Sequence, residues 1–141
     1  MRKLWMIPFL LVVGLMLLAT QAIASDPIDV AQSDGLTVNR HVVGTAVTDR
    51  EPEGVADSFS YEEDELICFV EFANSGEPTD ATIVWYVEGK HLYSKDVTVK
   101  TSGRYRTWAA ANPNARRRGT WKCDVQDADG KVLSSVQFTI D

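Results

Sequence analysis

Histidine is scarce in this chain of 141 residues. There are two, His41 and His91, and neither belongs to an H-x-x-x-H or H-E-x-x-H spacing. Each therefore reads as an isolated surface residue. Cysteine is equally sparse, with Cys68 and Cys123 alone and no C-x-x-C redox pair. The sequence contains no G-x-S-x-G elbow and no glycine-rich loop that would cradle a phosphate. Positive charge is in deficit, 14 Lys and Arg against 20 Asp and Glu, which argues against a general nucleic-acid binder. After the first 24 residues no long apolar run remains. These absences lead to the expectation of a non-enzymatic protein without cofactor or metal.

What is present begins with an address. Arg2 and Lys3 precede an uncharged apolar run from Leu4 to Ala19, and "AIA" at residues 22–24 ends the segment before Ser25. This three-part layout is that of a secretory signal peptide over residues 1–24. The alternative is an uncleaved anchor, but 16 residues fall short of the ~20 that span a bilayer. No cysteine follows the run to take a lipid. Cleavage would leave residues 25–141, with net charge −8, no membrane span and a periplasmic or secreted location. In an oxidising compartment the two cysteines are expected to form a disulfide closing a loop of about 55 residues. Such a loop is worth roughly 4 kcal/mol in the chain-entropy model. Two buried thiols are the alternative.

Residues 25–35 are polar and aperiodic, and read as a flexible lead-in. From Leu36 to the end, short apolar runs alternate with turn residues, and no window has a helical period. Seven strands are expected within 36–47, 64–74, 81–89, 91–100, 104–110, 119–127 and 132–140. Seven strands in about 100 residues point to one domain over 36–141, an all-β antiparallel sandwich. Leu66, Cys68, Val70 and Phe72 share one face, as do Trp121, Cys123 and Val125, and Trp85 with Ile83 and Val87. Trp85 and Trp121 are therefore expected in the core. Val132, Val136, Phe138 and Ile140 are expected to line one face of the last strand.

The order Cys68, Trp85, Cys123, with an aromatic two residues before the second cysteine, resembles the immunoglobulin-type sandwich. Trp121 stands where that fold usually carries a tyrosine, so its indole N–H needs a different acceptor. A second resemblance rests on "TDREP" (48–52), "ICFVEF" (67–72), "WYVEGK" (85–90), "RYRTW" (104–108), "GTWKCDV" (119–125) and "DADGKVL…F" (127–138). In this order and spacing the pieces look like a family of exported or membrane-tethered bacterial domains of unknown function, over residues 40–140. The resemblance implies a compact β domain and no activity.

Candidate binding residues come from charge and aromatics. Residues 49–65 hold eight acids and one base, whereas residues 104–118 hold Arg104, Arg106, Arg116, Arg117 and Arg118 and no acid. Either the two stretches neutralise one another, or the arginines form a docking surface suited to carboxylate or phosphate. The setting "NPNARRRG" marks a loop. Tyr86, Tyr93 and Trp108 would form a stacking platform for sugars if exposed together; otherwise they belong to the core. The run Glu62–Glu65 reads as a solvated loop rather than an acid–base pair, and "DADG" as a hairpin turn rather than half a calcium loop. Glu71, mid-strand and opposite Cys68 in parity, needs a partner if its face is covered. The functional expectation is an envelope module that binds a protein, with a glycan or envelope polymer as the alternative partner.

Overall fold

The structure, a computed structural model, describes residues 35–141. The expected signal peptide and nearly all of the lead-in lie outside the described residues. Ten strands follow in order: β1 Leu36–Gly44, β2 Ala46–Thr48, β3 Glu51–Glu53, β4 Ser58–Phe59, β5 Leu66–Asn74, β6 Thr79–Val87, β7 Lys90–Val99, β8 Ser102–Ala111, β9 Gly119–Asp127 and β10 Val132–Ile140. The seven long strands occupy the seven expected windows. The first window is divided, because the chain leaves the sheet after Gly44 and folds into the β2–β3 ribbon.

Two sheets pack face to face. One has the order β1-β5-β8; the other has the order β4-β10-β9-β6-β7. All pairs are antiparallel except the two-residue pair of β4 with β10. The chain crosses between sheets from β4 to β5, from β5 to β6, from β7 to β8 and from β8 to β9. These crossings, with β5 and β9 central in opposite sheets, make the architecture an immunoglobulin-like β-sandwich. Among the described residues no helix is long and apolar enough to cross a membrane.

Turn chemistry fixes the hairpins. Glu88 and Gly89 both have positive φ, 50° and 78°, as a tight β6–β7 connection requires. In the β9–β10 turn, Asp127 Oδ1 accepts the N–H groups of Asp129 and Lys131 at 2.9 Å each. That carboxylate is thus engaged in shaping the turn.

The core is built on aromatics. Trp85, Trp121 and Phe138 meet with ring centroids 5.9–6.1 Å apart, and the two indoles lie edge to face. Trp85 and Trp121 are fully buried. Trp121 Nε1 donates to the Arg117 carbonyl at 2.7 Å, four residues upstream. A tryptophan here makes the backbone bond that a tyrosine hydroxyl makes in the usual corner of this fold.

Candidate functional site

The inner faces of β5 and β9 bring Cys68 and Cys123 together between the sheets, both without solvent exposure. The expected disulfide is not the state found: both residues are buried thiols. A third residue explains how the thiol form is accommodated. His41 Nε2 lies 3.1 Å from Cys68 Sγ, while Nδ1 lies 2.8 Å from Ser134 Oγ on β10. The ligand atoms of His41, Cys68 and Cys123 all lie within 4.8 Å of one another.

His41 is therefore not the isolated surface residue that its sequence context suggests. A β-bulge is responsible. Val38 pairs with Phe72 and Arg40 with Glu71, so Asn39 is an extra residue in β1. Before the bulge Leu36 and Val38 pack inward; after it the inward residues are His41, opposite Val70, and Val43, opposite Cys68. Simple alternation from Leu36 would have put Arg40 inside. A second bulge, between Val132 and Ser134, acts on β10. It pairs Val132 with the outward Gln126 and leaves it exposed, buries Leu133, and sets Ser134 opposite the inward Val125. Val132 thus leaves the inner face on which alternation had placed it.

The two thiols are unlike. Burial pushes Cys68 up, but hydrogen bonding with Cys123 and His41, together with the imidazole's charge, outweighs it and brings the thiol down to about 6. Burial and the neighbouring Cys68 sulfur push Cys123 well above the ordinary thiol range. The two thiols titrate as one coupled pair, whose first proton leaves more readily than that of an ordinary thiol.

On the outer face of the same three-stranded sheet, Glu71 and Glu51 of the β2–β3 ribbon collect three guanidiniums. Arg104 Nε reaches Glu71 at 2.7 Å, Arg106 reaches Glu51 at 2.8 Å, and Arg40 reaches Glu51 at 2.9 Å. Hydrogen bonding from Arg40 outweighs the effect of burial and holds the Glu51 carboxyl below its usual range, helped by the charges of Arg40, Arg106 and Arg104. Beneath them Phe69 stacks on Trp108, with rings 10° from parallel, and Arg40 lies over Phe69. Arg104 and Arg106 are thus already engaged by acids from the 49–65 stretch and from β5, in a cluster of three guanidiniums and two carboxylates that keeps one net positive charge.

Arg116, Arg117 and Arg118 are exposed in the β8–β9 loop, and among the described residues they form no ion pair. Arg118 instead lies over the Tyr61 ring, 3.9 Å from its centroid. The loop backbone is fixed by Asn114, whose side chain and carbonyl accept from Arg116 N and Arg117 N, and by Trp121. At the loop's end Gly119 has φ +112°, and a Cβ there would strike the Glu88 carboxylate that accepts Thr120 N–H.

The three candidate platform aromatics are separated. Tyr86 pairs with Lys122 on the outer face of the five-stranded sheet, capped by Lys122 and His91. Trp108 is half-buried on the outer face of the other sheet. Tyr93, 47% exposed, stands on β7 at the sandwich edge. There it lines a groove of about 290 Å³ with Leu92, Ala110, Ala111, Asn112 and Arg117.

A search of curated proteins finds no match. Among solved structures, a β-glucosidase from Listeria innocua is similar over 74% of this chain, at 8% identity and a TM-score of 0.46; the chain spans 15% of that enzyme's length. The CARDB domain of a Pyrococcus furiosus protein is similar over 77% of this chain and 96% of its own, at 8% identity and a TM-score of 0.43. The model of a family described as a protein of unknown function (DUF2914) matches residues 78–140, which takes in β6 to β10, the arginine loop and Cys123 but neither His41 nor Cys68.

Proposed function

We propose that this chain is a non-catalytic, exported β-sandwich module that binds a partner protein in the cell envelope. Export rests on the layout of residues 1–24. The observation that carries the binding reading is the groove between the outer edges of β7 and β8. Both strands end their sheets, so each offers an edge without a strand partner among the described residues. Lys95 covers one point of it by donating to the Trp108 carbonyl at 2.8 Å. The exposed Tyr93 and Arg117 rim the groove, and the Arg116–Arg118 loop adjoins it. An extended acidic segment suits this surface: backbone bonds along an edge supply affinity, and guanidiniums supply attraction and register.

Site-specific photocrosslinking tests the reading. A crosslinker at Tyr93 is expected to trap a protein from the native envelope, and one at Tyr86, on another face, is not. Association of the trapped partner should slow when Arg116, Arg117 and Arg118 are all replaced by glutamine, and slow for the wild type as salt rises. Equal trapping from both positions overturns the assignment of the groove. Recovery of a glycan polymer instead of a protein overturns the partner class.

A further inference from the structure

We infer that His41, Cys68 and Cys123 form a binding site for a thiophilic metal ion, with monovalent copper as the ion the donor set fits best. The inference is independent of the surface groove. It starts from composition of the site: two sulfur donors and one imidazole nitrogen converge from three strands of two different sheets. Soft thiolates with an imidazole select copper(I) or zinc over calcium, magnesium or manganese.

Geometry supports the same reading. A trigonal ion with metal–sulfur bonds of ~2.3 Å and a metal–nitrogen bond of ~2.0 Å has donor–donor edges of about 3.7–4.0 Å. Here no two donor atoms are more than 4.8 Å apart, and the Nε2–Sγ(Cys68) edge is 3.1 Å. The Nε2–Sγ(Cys68) edge reaches the trigonal value by opening about 0.6 Å. The imidazole is already oriented. With its proton on Nδ1 and donated to Ser134 Oγ, the ring turns the Nε2 lone pair toward the sulfurs. An outer partner of this kind on a ligating histidine fixes its tautomer and raises its basicity.

Coordination number separates the two soft ions. Zinc takes four ligands, or three and a water. Among the described residues the cluster holds three donors, and the Ser134 hydroxyl is engaged with the far side of the imidazole. The surroundings are the apolar core, with both cysteines fully buried. Copper(I) is satisfied by three soft donors without water. Its dithiolate complex would carry one net negative charge, and the same core contains an unspent donor. Trp85 Nε1 is buried without a hydrogen-bond partner, and Trp85 stands directly across the β6–β9 ladder from Cys123. Access lies on the β1–β10 side, where His41 and Ser134 are half-buried and the two strands belong to different sheets. Binding is not a redox step: copper(I) enters as copper(I), two thiol protons pass to solvent, and two Cu–S bonds and one Cu–N bond form.

The test uses protein produced from the full chain, reduced and handled without oxygen. Copper(I) is delivered from a coloured chelator complex, and the chelator's loss of colour is followed. One equivalent should be withdrawn, with a rise in thermal midpoint. Cys123→Ser should abolish the withdrawal, and Ser134→Ala, a half-buried change outside the donor set, should weaken it by about 10- to 100-fold while the fold persists. Near-ultraviolet circular dichroism of each variant checks folding. Failure of the wild type to bind either copper(I) or zinc, or equal withdrawal by Cys123→Ser, overturns the site. Tight stoichiometric zinc binding without copper uptake overturns the choice of ion. Recovery of the native envelope protein with a Cys68–Cys123 disulfide and no metal overturns the proposal as a whole.

Discussion

β5 separates two polar clusters that obey opposite rules. On its inner face Cys68 meets Cys123 and His41, a small group of soft, weakly polar atoms in an apolar core. On its outer face Glu71 joins Glu51, Arg40, Arg104 and Arg106, five full charges that keep part of their contact with water. The difference follows from what burial costs. The outer charges are held where solvent and opposite partners share the load, whereas the inner sulfurs lose little on leaving water as thiols and any charge on them rests on hydrogen bonds and the imidazole. One strand can therefore carry both, because successive side chains point to opposite faces.

The largest effect is expected inside. Trp121→Ala should cost about 3–5 kcal/mol in denaturant unfolding, through lost volume in the aromatic core. It should also free the Arg117 carbonyl, so hydrogen exchange in the 112–118 loop should rise more than elsewhere.

Outside, Glu71→Ala should cost about 1–3 kcal/mol, because Arg104 loses its acceptor and Arg40 an opposite charge 3.8 Å away, on a side chain only 13% exposed. A loss near zero would place the outer cluster with ordinary surface ion pairs.

The outer cluster should respond to acid in the carboxylate range. The Glu51 carboxyl is held below its usual range by Arg40 hydrogen bonding, against the opposing effect of burial. In acid the unfolded chain takes up that proton before the folded one does. Its stabilisation is thus full above the ordinary carboxylate value and is lost as pH falls through the depressed folded value. Thermal midpoints of wild type and Glu51→Gln should converge on acidification.

Independence of the clusters gives a finer test. Cys123→Ala and Glu71→Ala should be additive within about 0.3–0.5 kcal/mol, as for sites roughly 10 Å apart without shared partners. A larger coupling would mean that β5 transmits strain between its faces. The smallest effect belongs to Arg116, Arg117 and Arg118, whose joint replacement by glutamine should change stability by no more than about 0.5 kcal/mol.

The strands were legible as short apolar runs between turn residues, and the facing of Cys68 and Cys123 followed from parity within β5 and β9. The thiol state did not, because parity places two sulfurs together and says nothing of a third group. His41 was hidden by the bulge at Asn39, which reverses parity within one strand. The engagement of Arg104 and Arg106 was only half visible. Charge balance suggested that acidic and basic stretches meet, but pairing Glu51 with arginines 53 and 55 positions later requires the tertiary fold. Glu71 carried its own signal, an acid in the middle of a strand of largely apolar residues. Arg40 carried none.

The bulge at Asn39 works on β1 as a frameshift works on a reading frame. Up to Val38 the inward positions fall in one frame of two; from Arg40 onward they fall in the other. A chain carrying the same cluster on a regular strand would therefore write it as Val-x-His, and this one writes it as Val-x-x-His. Deleting Asn39 should merge the two frames and leave His41 opposite Val70. A search for the cluster in other sequences must accept both spellings, since the one-residue difference changes the text and not the site.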